Sequence, residues 1–164
     1  MKKLLLALLG ISFGAALFAV PPPPRPPVPP PPPPMAPRTG VTTPHGWFDN
    51  FEAAQHEARR LRRPMLVLFT GSDWCGFCIK LKQETLNTPA FRRYAHDRLV
   101  LVYLDFPRRS ALPRGLRHQN EGLAKRFGVR GFPTTIILSP HGRELGRIGG
   151  YTHHYLRQVM HYAK

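Results

Sequence analysis

Cysteine is nearly absent from this chain of 164 residues, with two in all, Cys75 and Cys78. There is no second close cysteine pair to complete a four-ligand zinc site. None of the eight histidines forms an H-x₃₋₅-H pair, so the ligand spacing of a zinc finger is missing as well. Acidic residues are also few, 9 Asp and Glu against 24 Lys and Arg, a formal net charge of +15. Charge of that sign and size suits anionic surfaces such as acidic lipid, glycan or nucleic acid, or else a solvated basic surface. No aromatic-interleaved motif accompanies it, which argues against nucleic acid. There is no internal repeat, and no cysteine follows the apolar run at the start of the chain, so a lipoprotein signal is excluded.

Three segments are present. Residues 1–20 carry Lys2 and Lys3 followed by LLLALLGISFGAALFAV. A basic end, an apolar centre and small residues near Ala19 are the layout of a secretory signal. The apolar length also reaches the lower limit of about 17–25 residues for a spanning helix. Cleaved signal and inner-membrane anchor therefore both stand, and either sends the rest of the chain out of the cytoplasm, to the periplasm or beyond. Residues 21–38 are a proline-rich linker, with thirteen prolines among the seventeen residues Pro21–Pro37. Proline fixes φ and removes amide donors, so this stretch reads as an extended polyproline spacer. Residues 39–164 suffice for one domain with its own core.

Within that domain, Trp47, Phe48, Phe51, Ala54, Ala58 and Leu61 recur at helical spacing up to Pro64. MLVLFT, 65–70, and LVLVYLDF, 99–106, read as buried strands. Between them the spacing predicts a helix from about Cys75 through Leu81 and Leu86. A shorter helix follows, capped by Thr88 with Pro89 at its first position. Pro107–His118 reads as a loop, Asn120 as the cap of a helix through Phe127, and Gly128 as its end. TTIIL, 134–138, and Glu144–Ile148 form a hairpin around Ser139–Gly142. Tyr151–Tyr162 reads as a terminal helix with Tyr155, Leu156 and Val159 buried. Strands alternating with helices and ending in a hairpin imply an α/β fold, a mixed sheet flanked by helices.

GSDWCGFCIK, 71–80, holds both cysteines. As a structural staple the pair is poor, because a bridge over two residues closes a minimal loop. As a reactive dithiol it is well placed. A cysteine in the first turn of a helix meets free backbone N–H groups and the positive end of the helix dipole. Both stabilise the thiolate, so the Cys75 pKa is expected below that of a free thiol. Cys75 would attack and Cys78 resolve, the first exposed and the second sheltered. Trp74 either shields one side of the pair or is an ordinary half-buried aromatic.

WCGFC after a buried strand, Phe132-Pro133-Thr134 before another, the closing hairpin and Gly149-Gly150 together resemble the thioredoxin superfamily. Within it, TGSDWCGFCIKLKQET and VYLDFP are similar to the thioredoxin-like domains of periplasmic thiol:disulfide interchange proteins. The resemblance implies a thioredoxin-like fold, a Cys75–Cys78 disulfide in the oxidised form, and a cis Pro133 facing the pair. It implies substrate contacts at Trp74, Phe132, Pro133 and Thr134, protein thiols and disulfides as substrates, a membrane electron-donor protein as partner, and neither cofactor nor metal. The expected activity is exported thiol–disulfide exchange, reducing or isomerising protein disulfides. The alternative is a non-catalytic binding module held at the envelope by the proline-rich stalk. Two departures from the family pattern stand out. Phe77 occupies the place of the usual proline, and Leu66–Phe69 carries no buried acid for proton transfer. Asp73, Lys80, Lys82 and Asp105 are the nearby titratable groups, each with a plain structural explanation.

Overall fold

The computed structural model describes residues 43–164. The signal or anchor of residues 1–20 and the linker of 21–38 lie outside the described residues. Among those described, no helix is long and apolar enough to cross a membrane.

The continuous apolar run Met65–Thr70 (β1) is buried at every position. That follows from its place, since it has a strand on each edge and helices on each face. On one edge it pairs in parallel with Val100–Asp105 (β2), from Met65 opposite Val100 to Thr70 opposite Asp105. On the other it pairs antiparallel with Thr134–Leu138 (β3), which pairs antiparallel with Glu144–Gly149 (β4). The sheet order is β2-β1-β3-β4, the mixed α/β arrangement expected.

Strand side chains alternate between faces, so β1 feeds two cores. Met65, Val67 and Phe69 pack with Phe51, Ala54 and Ala58 of Phe51–Leu61 (α1), and with Leu123 of Arg114–Arg126 (α4). Leu66 and Leu68 pack on the opposite face. Their neighbours are Leu81 of Gly76–Leu81 (α2), Phe91 and Ala95 of Pro89–Arg98 (α3), and Tyr155 and Val159 of Tyr155–Tyr162 (α5). Thr88 caps α3 as expected, its Oγ1 accepting from the Phe91 amide at 3.3 Å.

Four sequence expectations are corrected. Trp47 and Phe48 precede α1 instead of belonging to it. Asn50 is the cap, its Oδ1 accepting from the Ala53 amide at 2.8 Å. Phe48 instead runs beside β2: its amide donates to Leu101 O and its carbonyl accepts from the Tyr103 amide, both at 2.8 Å. Trp47 and Phe48 are both apolar because they serve opposite cores, which imitates a helical stripe.

The helix opened by Cys75 is not uniform. Lys82–Leu86 is a π-helical turn, closed by the Asn87 amide on Lys82 O at 2.9 Å. The wider turn keeps Leu81 and Leu86, five residues apart, on one buried face, which a uniform α-helix would not do.

α4 starts at Arg114, directly after Pro113, and not at Asn120. Asn120 is buried in mid-helix, its Nδ2 donating to Asp105 O at 2.9 Å. A polar residue on the buried stripe hid the helix from periodicity. α5 starts at Tyr155, because Gly150 (φ 74°) and the turn closed by the Tyr155 amide on Thr152 O take up the preceding residues.

Candidate functional site

The site forms where β1 gives way to α2. Gly71–Trp74 makes a turn closed by the Cys75 amide on Gly71 O at 3.0 Å. Gly71 has little choice of side chain, since a Cβ there would stand 2.6 Å from the Trp74 indole. The indole N–H donates to Phe106 O at 2.7 Å, so Trp74 lies flat over this turn, half-buried.

Two carboxylates fix the turn to the end of β2 and the segment after it. Asp105, only 4% exposed, accepts from the Ser72 amide at 2.9 Å and the Ser72 hydroxyl at 2.5 Å. Asp73 accepts from the amides of Arg108 at 2.9 Å, Arg109 at 2.8 Å and Ser110 at 3.1 Å. Those amide donors, Arg108 first, hold the Asp73 carboxyl below its ordinary pKa. Both acids are thus engaged in holding structure. Lys80, exposed, stands 3.9 Å from Glu84 and over the Tyr151 ring, and Lys82 is half-buried on the π turn.

Cys75 caps α2. The Cys78 amide points at its sulfur at 3.3 Å, and the Gly71 amide points at the Cys78 sulfur at 3.5 Å. The two sulfurs are bonded as a disulfide across a Cα–Cα distance of 5.2 Å. The expected contrast between an exposed and a sheltered sulfur is slight in this oxidised form: Cys75 is 7% exposed and Cys78 4%. The aromatic neighbours account for this, since Trp74 packs edge-on against Phe132 with centroids 5.8 Å apart.

Opposite the pair, the Phe132–Pro133 peptide bond is cis and Pro133 is buried. Phe132 O lies 3.7 Å from the Cys75 sulfur. Pro133 O accepts from the Gly150 amide at 2.7 Å, so the glycine just after β4 anchors this loop. The Thr134 hydroxyl donates to Gly131 O at 2.7 Å and braces the loop from within. Cys75, Cys78, Trp74, Phe132 and Pro133 are therefore brought together, with Thr134 one step behind them.

Sequence reasoning missed Phe106 and Arg108. Phe106 packs 4.9 Å from Phe132, centroid to centroid, and its carbonyl holds Trp74. The Arg108 guanidinium lies 3.7 Å over the Trp74 ring. Only the fold brings 106–108 to the cysteines, and no spacing in the chain signals it. Phe77, between the cysteines, is 64% exposed. Among the described residues, no group of three or more His, Cys, Asp or Glu is arranged to hold a metal ion. The chemistry in reach is a two-electron cycle between the disulfide and a dithiol.

Comparison with known proteins agrees with this geometry. A family model described as a thioredoxin-like domain matches residues 51–164. The chain is 34% identical to the disulfide bond reductase DsbH of Chlamydia pneumoniae over 103 residues, 63% of this chain and 61% of that protein. It is 31% identical over 105 residues to the thioredoxin-related protein DsbJ of the same organism, 64% of this chain and 30% of that protein. The chain thus spans about three fifths of the first relative's length and under a third of the second's. Among solved structures, a DsbH oxidoreductase matches with a TM-score of 0.65 and 28% identity, covering 79% of this chain and 94% of that one. A thioredoxin from Thermus thermophilus shares the fold at a TM-score of 0.57 and 23% identity, covering 70% of this chain and 84% of its own.

Proposed function

The chain belongs to the thioredoxin-like domain family, and from that premise we propose that it is an exported thiol–disulfide oxidoreductase that reduces or isomerises protein disulfides. The observation that carries this reading is the Cys75–Cys78 pair at the start of α2, with the Phe132–Pro133 loop against its first sulfur. In the reduced protein the Cys75 thiolate, favoured by the Cys78 amide and the helix N-terminus, attacks a substrate disulfide. A bond forms from Cys75 Sγ to one substrate sulfur, and the other substrate sulfur leaves as a thiolate and takes a proton. Cys78 then attacks Cys75 Sγ, releasing the second substrate thiol and leaving the protein oxidised. A membrane electron-donor protein of the dithiol class returns the two electrons. Trp74, Phe132 and Pro133 form the surface on which the substrate chain lies.

The reductive direction is supported by the name of the first relative, a disulfide bond reductase, and by the absence of a histidine between the cysteines. Export rests on residues 1–20. Contact with an anionic envelope surface is supported by the formal net charge of +15.

The test of direction is a redox titration of the purified protein against glutathione, followed by thiol alkylation. A potential more negative than about −200 mV, in the range of thioredoxins and glutaredoxins, is expected. A value near about −120 mV, that of a strong oxidant, would overturn the reductive reading.

A further inference from the structure

Thiol exchange alone does not explain Arg108. Its guanidinium is stacked over the indole that flanks Cys75. That stacking is not needed to hold its own loop, because Asp73 already binds the amides of Arg108, Arg109 and Ser110. No carboxylate among the described residues lies within 4.0 Å of the Arg108 side chain. The residue is exposed, so its donors face the solvent. Arg109 and Arg130, both exposed, belong to the two loops that border the pair. Of the two acids beside the site, Asp105 is turned inward onto Ser72, and Asp73, at the surface, is engaged by the amides of Arg108, Arg109 and Ser110 and not by a guanidinium. The rim around Cys75 therefore presents an unpaired cation on an aromatic platform, on a protein of net charge +15.

We propose that Arg108 is a specificity residue, and that the preferred substrates carry an acidic residue two or three positions from the cysteine that Cys75 attacks. An extended chain advances about 3.3 Å per residue, so such a residue lies roughly 7–10 Å from the attacked sulfur. Arg108 is assigned to that residue because its guanidinium lies on the indole of Trp74, the residue next to Cys75. Guanidinium suits the role because it pairs with carboxylate in a fork while its flat face stays on the ring. The inference rests on the exchange activity proposed above and names the substrate class of the same site.

The test uses two peptides, each bearing one cysteine as a mixed disulfide with thionitrobenzoate, with Glu or Lys flanking that cysteine. Release of thionitrobenzoate by the reduced protein is followed by absorbance, and each rate is divided by that peptide's rate with dithiothreitol. The wild type is expected to favour the Glu peptide about fivefold at low salt, the combined size of one partly exposed attraction for Glu and one repulsion of Lys. The preference should appear in KM and shrink at 0.5 M salt, where the screening length falls to a few Å. In Arg108→Gln the ratio should fall to less than half the wild-type value, and Arg108→Lys should retain part of it. If Arg108 merely props Trp74, both peptides slow together and the ratio is unchanged, which overturns the proposal while leaving the exchange activity standing. If reduced wild type releases thionitrobenzoate from neither peptide, the exchange reading itself fails, and this inference with it.

Discussion

Replacing Cys75 by serine is expected to reduce insulin-disulfide cleavage to the rate of dithiothreitol alone, whereas Cys78→Ser, reduced beforehand and freed of dithiothreitol, should still react once and then stop. The asymmetry comes from position. Cys75 caps α2, where the Cys78 amide stands 3.3 Å from its sulfur, and it lies against the Phe132–Pro133 loop. Cys78 sits one turn in and is slightly more buried. A serine hydroxyl at 75 has no accessible anionic form near neutral pH, so the first attack is lost outright. A serine at 78 leaves that attack intact and removes the second. The substrate then stays bonded to Cys75, and mixed disulfides accumulate. Non-reducing electrophoresis should show them for Cys78→Ser and not for Cys75→Ser. Equal acceleration of insulin precipitation by wild type and Cys75→Ser, or by neither, would favour the non-catalytic binding module.

Asp105→Ala should have the largest effect outside the cysteines. The carboxylate is 4% exposed and accepts both the amide and the hydroxyl of Ser72, the residue that turns the chain toward the pair. Hydrogen bonds to a buried charged group contribute about 1.5–3 kcal/mol each. Losing both leaves two donors of Ser72 without partners, so a loss of roughly 3 kcal/mol is expected in urea denaturation. Asp105→Asn keeps one acceptor oxygen and should lose about half as much. Because Ser72 lies in the turn closed by Cys75 on Gly71, the Ala variant should also exchange thiols more slowly under conditions where it remains folded. A change below about 1 kcal/mol would mean that Asp105 is not what fixes this turn.

The buried strands were readable because their chemistry is local. MLVLFT and TTIIL are continuous apolar or β-branched runs, and both lie where expected. The same holds for Thr88-Pro89 at the start of α3 and for Cys75 at the start of α2. What failed was helix extent wherever the pattern was mixed. Asn120 looked like a cap because it is polar, yet it is buried to hold Asp105 O. Trp47 and Phe48 looked helical because they fill two cores from one extended segment. At the site, the cysteines and the Phe132–Pro133 loop were legible because each is a short motif. Phe106 and Arg108 were not, because they reach the cysteines only through the parallel pairing of β1 with β2. Arg108 stood in the sequence as one basic residue among many.

The central claim is that Cys75 makes the first bond to substrate and Cys78 breaks it. The most direct measurement is mass spectrometry of proteolytic fragments from the species that Cys78→Ser captures with an oxidised protein substrate. Every linkage is predicted to join Cys75 to a substrate cysteine, and added dithiothreitol should release both partners unchanged. Failure of Cys78→Ser to form any linkage, together with capture through Cys78 in Cys75→Ser, would contradict the assignment.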